Sequence, residues 1–141
     1  MVRGMELVLL APAREEVVFR GFLLHIFRNR MKGRAACLCC GLFFGMAHLT
    51  NAANPRFTWS FVMVQVMVAS VIGTFLSTRT MATGRERGTA DAVAIHVVNN
   101  LFASVVGTGR MDVTDWYVMV SLAQTTCLFG YLLQRDLVVV A

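Results

Sequence analysis

Thr58-Trp59-Ser60-Phe61-Val62-Met63-Val64-Gln65-Val66-Met67-Val68-Ala69-Ser70-Val71-Ile72-Gly73-Thr74-Phe75-Leu76-Ser77-Thr78 is a run of 21 residues in which only Gln65 is strongly polar. At about 1.5 Å per residue, a helix of that length covers the roughly 30 Å hydrocarbon core of a bilayer. The run carries no charge, the side-chain type most costly to transfer from water to lipid.

The pattern repeats on both sides of this run. Hydropathy predicts five helical segments: Leu7–Arg28, Ala35–Leu49, Thr58–Thr78, Ala90–Val106 and Trp116–Leu133. Pro12 suits an early helical position, where its missing N–H would be an orphan anyway. Of the 141 residues, 57% are hydrophobic and 15% charged. Soluble domains run near half apolar and about a quarter charged. The expected fold is all-α: a multi-pass transmembrane bundle of about five helices, integral to the membrane, forming one domain over residues 1–141. Gly41 and Gly45 make a small-xxx-small pair, which lets a neighbouring helix approach closely; packing within the chain is expected over dimerisation. No internal repeat or low-complexity stretch interrupts this organisation.

The formal net charge is +5, but the Lys and Arg are dispersed and most fall between apolar runs. They form no concentrated basic footprint, so nucleic acid is not an expected partner. They set membrane orientation instead. Arg28, Arg30, Lys32 and Arg34 separate segments one and two, and Arg79, Arg85 and Arg87 separate three and four. The intervening loops are weaker: Asn51 to Arg56 holds one positive charge, and Arg110 is followed by Asp112 and Asp115. The positive-inside rule places the two basic loops on the cytosolic side. Cys37, Cys39 and Cys40 cluster within an apolar run without a second pair at zinc spacing, so they read as small packing residues. Palmitoylation of a juxtamembrane Cys is the sharper alternative. Met1 to Glu6 leads straight into Leu7–Leu10 with no small-residue cleavage site. The first apolar run is expected to begin a motif-bearing helix with no membrane anchor before it.

Ionisable groups inside a membrane helix cost about 2.5–3.5 kcal/mol each on insertion scales, so a sequence keeps them where they are paired or functional. Here they are Glu15, Glu16 and Arg20 in the first segment, His48 in the second, and His96 with Asn100 in the fourth; Asp91 lies near the start of the fourth. Glu16 and Arg20 are four apart and can pair on one face. Glu15 lies about 100° around the helix, so it is the carboxylate left without a local partner, which suits a general base or acid. His96 and Asn100 also share a face. His25, near the end of the first segment, reads as an interfacial or packing histidine.

Three stretches then stand in order: Glu15-Glu16-Val17-Val18-Phe19-Arg20-Gly21, Phe44-Gly45-Met46-Ala47-His48, and His96-Val97-Val98-Asn99-Asn100. The chain resembles the CAAX protease and bacteriocin-processing family, whose motifs are Glu-Glu-x-x-x-Arg, Phe-x-x-x-His and His-x-x-x-Asn/Asp. The resemblance spans about Ala11 to Gly107. It implies an intramembrane endopeptidase similar to the type II CAAX prenyl endopeptidase. Glu15 with His48 would activate water, His96 and Asn100 would polarise the scissile carbonyl and stabilise its oxyanion, and Glu16 with Arg20 would hold the site together. The resemblance implies a peptide or prenylated protein as substrate, with membrane lipids as surroundings. It also implies further membrane helices before the Glu-Glu motif, which this chain is expected to lack.

Metal use stays open at this level. No histidine is followed by Glu in a His-Glu-x-x-His arrangement, yet Glu15, His48 and His96 are candidate ligands for zinc. Two other functions compete with peptidase chemistry. A non-catalytic membrane scaffold or bacteriocin-immunity protein would keep the polar residues only as an interhelical network. A proton-coupled transporter would use Glu15 and His48 as an ion path, but it predicts discontinuous helices repeated in two halves. Depth provides a constraint. Glu15 is 17 residues before Lys32 and His48 is 16 after it, whereas His96 is only 9 past Arg87. A shared site between roughly 24–25 Å and roughly 13 Å of helix requires the first two helices to tilt or to project beyond the bilayer.

Overall fold

A computed structural model describes residues 9–106, 114 and 116–137 of the chain. The described residues form five helical segments and no strand. The first is composite: α1 (Ala11–Glu16) widens into a π-helical stretch, Val17–Leu23, and tightens again as α2 (Leu24–Arg28). The others are α3 (Gly33–Ala47) with a 3-10 continuation over His48–Ala53, α4 (Trp59–Thr83), α5 (Arg85–Val106) and α6 (Trp116–Leu137). Leu7 and Val8, Gly107, and the acidic loop of Arg110, Asp112 and Asp115 lie outside the described residues.

Local chemistry explains most boundaries. Pro12 occupies the first turn of α1, as its missing donor predicts. Thr58 caps α4, its side-chain oxygen accepting from the Phe61 N–H at 3.3 Å. The far end of α4 is set by Gly84, whose φ of 88° and ψ of 156° lie in a region reserved for glycine. The helix therefore runs past Thr78 to Thr83, and α5 begins at Arg85 rather than near Ala90. Arg79, expected in the loop between segments three and four, lies inside α4 and faces Asp91 of α5 at 3.7 Å.

The α4 helix is the hub, packing against α3, α5 and α6. Its crossing with α3 is close because glycines line both sides. A Cβ on Gly41 would come within 2.8 Å of the Ser70 carbonyl, and one on Gly45 within 2.6 Å of the Val66 carbonyl. Gly73 faces Phe44 in the same way, 3.0 Å from that residue's Cβ. The Gly41/Gly45 pair thus serves a contact within the chain. Cys37 and Cys40 are buried in a second cluster with Leu24 and Ala36, which fits the packing reading.

The described surface carries many large apolar side chains, and several polar ones are buried among the apolar core. Glu16, Arg20, Thr74, Ser77, Thr78 and His96 are buried, while Val17, Phe22, Leu42, Phe43, Met63 and Met67 are exposed. The hydroxyls on α4 are satisfied along the helix: Ser70, Thr74, Ser77 and Thr80 each donate to the carbonyl four residues back, at 2.8–2.9 Å. Two stretches among the described residues are long and apolar enough to cross a membrane. They are Gly33–Ala53, 21 residues with mean hydropathy 1.4, and Trp59–Thr83, 25 residues with mean hydropathy 1.9.

Candidate active site

The site begins at the pair read from spacing. Glu16 and Arg20 sit four apart, both side chains fully buried, with Nη1 of Arg20 2.9 Å from Oε2 and 3.0 Å from Oε1 of Glu16. A buried ion pair is tolerable only when its remaining donors and acceptors find partners. Nη2 of Arg20 donates to the Gly73 carbonyl at 2.9 Å, which ties the first helix to α4. The guanidinium lies over the Phe44 ring at 4.5 Å, a cation–π contact inside the bundle.

The second attachment of Glu16 crosses the chain. Its Oε1 lies 2.8 Å from Nδ1 of His96, 80 residues away on α5. A carboxylate only accepts, so Nδ1 carries the proton. The other ring nitrogen, Nε2, faces Oε2 of Glu15 at 3.8 Å, longer than a direct hydrogen bond. The adjacent glutamates therefore address opposite nitrogens of one imidazole, as their roughly 100° offset allows. They differ in access: the Glu15 side chain is 42% exposed and that of Glu16 is sealed.

His48 enters through a ring. It ends α3, half-buried, with Nδ1 3.0 Å from the Phe44 carbonyl one turn back. Its imidazole packs against Phe44 with centroids 5.1 Å apart, and His96 packs against the same ring at 5.5 Å. Beyond His48 the backbone tightens to 3-10 geometry, and Asn51 donates to Gln65 of α4 at 2.8 Å, which holds this end of α3 in place. Asn100 lies half-buried on α5, one turn beyond His96.

The structure thus brings Glu15, Glu16, Arg20 and His96 together, joins His48 to them through Phe44, and places Asn100 on the same face of α5 as His96. The depth constraint resolves in the same geometry. Arg85 shares a small cavity with Leu24, His25 and Arg28, so it stands level with α2 rather than with Lys32. The first helix and its loop therefore project past the start of α5. Sequence reasoning quoted Phe44 within its motif but gave it no role; its four-residue offset from His48 was the available signal. His25 is exposed and within 3.3 Å of Asn29, as suits a histidine at a helix end. Among the described residues, no group of three or more His, Cys, Asp and Glu side chains is arranged to hold a metal ion. The candidate set Glu15, His48 and His96 does not fit zinc in this arrangement.

Comparison with known families matches residues 2–102 to the model described as type II CAAX prenyl endopeptidase Rce1-like. No curated protein and no solved structure matches the chain. The match covers well over half of the 141 residues, and the chain belongs to this membrane-embedded protease family.

Proposed function

We propose, from that membership and the geometry around His96, that the chain is a multi-pass intramembrane endopeptidase acting on peptide bonds near the membrane surface. The observation that carries the proposal is the pair of glutamates on opposite nitrogens of one imidazole, only one of them accessible. Glu15 is the base: it takes a proton from water while His48 orients that water. The hydroxide attacks the scissile carbonyl. His96, held through Nδ1 by Glu16, and the Asn100 amide polarise the scissile carbonyl and stabilise its oxyanion. Collapse of the tetrahedral intermediate breaks the C–N bond, and the proton held by Glu15 passes to the leaving amine. Glu16 and Arg20 position His96 without touching substrate.

The substrate class is a prenylated Cys-a-a-X tail, cut so that the last three residues leave. Family membership supports this choice, together with an apolar exterior that admits a lipidated peptide from the bilayer side. The basic loops lie at the cytosolic end, where such tails are found.

The test is mass spectrometry of a farnesylated Cys-a-a-X peptide incubated with the full chain in proteoliposomes. Release of the intact tripeptide, slower from the unprenylated peptide, is the expected result. No cleavage of either peptide by protein with a cooperative melt would move the chain to the scaffold or immunity class. Cleavage is also expected to survive a chelator titration; loss that is restored by added zinc would contradict the metal-free route.

A further inference from the structure

The cavity that levels Arg85 with α2 is not lined by Glu15, His48 or His96, but it is floored by Arg20 of the positioning pair. It is a small open cavity of about 30 Å³ where the first helix meets the junction of α4 and α5. Its floor is buried: Arg20, Leu24 and Thr80. Its rim is exposed and cationic: His25, Arg28 and Arg85. No carboxylate lines it. Among the described residues, neither Arg28 nor Arg85 has an ion-pair partner, in contrast to Arg79 with Asp91. The Arg20 Nε–H is fully buried without an acceptor, although both terminal nitrogens of the same guanidinium are bonded. That donor is closed off inside the Glu16 pair; the anion preference of the cavity comes from the Arg20 guanidinium in its floor and from the unpaired Arg28 and Arg85 at its rim.

We infer that this cavity binds a phosphate oxyanion, supplied by the headgroup of an anionic membrane phospholipid. The size fits one oxygen-sized group inside, since a cavity of about 15 Å³ already holds a water. The rest of the phosphate stays at the mouth against Arg28 and Arg85. The setting fits a lipid source: a basic pocket between helices, next to the basic loops, on a helix that also exposes the apolar Phe22. The site is separate from Glu15 and His48 but shares Arg20 with the Glu16 pair, so occupancy braces the positioning end of the active site.

The test is thermal melting of the full chain in detergent, titrated with short-chain phosphatidylglycerol, short-chain phosphatidylcholine or inorganic phosphate. A ligand that binds only the folded state raises Tm with concentration. Phosphatidylglycerol is expected to raise Tm and phosphatidylcholine to leave it unchanged. The Arg28→Gln/Arg85→Gln variant should need roughly thirtyfold more phosphatidylglycerol for the same shift, from about 1 kcal/mol for each of the two Arg. An Arg30→Gln/Lys32→Gln control should behave as wild type. An equal rise with inorganic phosphate would keep the anion site but reassign its source to soluble phosphate. No rise with either, or equal weakening in both variants, would overturn the site. None of these readouts depends on peptidase activity.

Discussion

Glu16 does two jobs: one carboxylate holds Arg20 within its own helix and His96 from α5. Removing it leaves Arg20 buried and uncompensated. Glu16→Ala is therefore expected to destabilise by about 3–5 kcal/mol, read as a fall in Tm or in denaturant midpoint. Replacing both partners by apolar residues of similar volume, Glu16→Leu with Arg20→Met, should recover most of that stability, because the unpaired charge goes with its partner. Cleavage should stay lost, since His96 no longer has its Nδ1 acceptor. A double variant as unstable as Glu16→Ala would contradict this view of the pair. Phe44→Leu keeps an apolar side chain but removes the ring shared by His48, His96 and Arg20. It should lower kcat more than it raises KM. At this scale the sequence was half legible. The Glu16–Arg20 pair follows from four-residue spacing, and so does the Phe44–His48 offset. The Glu16–His96 bond spans 80 residues, and no periodicity reports a contact between helices so distant in the chain.

At the scale of helices, glycine decides how closely α3 and α4 cross and where α4 ends. Gly45→Val would drive a branched side chain into the Val66 carbonyl and Ser70, forcing the helices apart. The expected result is loss of the folded protein, seen as aggregation in size-exclusion chromatography of the detergent-solubilised chain. Gly84 is a different case. A Cβ there meets nothing within 4 Å, so only backbone strain opposes substitution. Gly84→Ala should cost about 1–3 kcal/mol and leave the site intact. Activity per folded molecule should therefore be unchanged while Tm falls. The number and type of helices were legible because each apolar run is long. The ends were less so. Arg79 ends the apolar run in sequence, yet Asp91 partners it across the α4–α5 hairpin, and Thr80 continues α4 with its hydroxyl on the Leu76 carbonyl. The π-helical turn over Val17–Leu23 leaves no mark in hydropathy, because its side chains are as apolar as those of an α-helix.

In the molecule as a whole, buried charge and hydroxyls lie beside an apolar core, and large apolar side chains also stand exposed on the outside. That distribution is stable in lipid and unstable in water, and it carries an orientation. Arg85 shares a cavity with Arg28, so the two basic loops belong at the same end of the bundle. Cysteines introduced at Lys32 and Arg87 in a background lacking accessible Cys should be labelled by an impermeant reagent from one and the same side. Labelling from opposite sides would break the proposed topology. Within that frame the central claim is chemical: Glu15 supplies the base, and Glu16 supplies position and stability. The direct measurement is kcat/KM for tripeptide release by wild type and by Glu15→Gln, with Tm recorded for both. Glu15→Gln should retain the wild-type Tm within a few degrees and lose about 10²–10⁴-fold in kcat/KM, the range of a general base. A fully folded Glu15→Gln variant that cleaves at the wild-type rate would contradict the account.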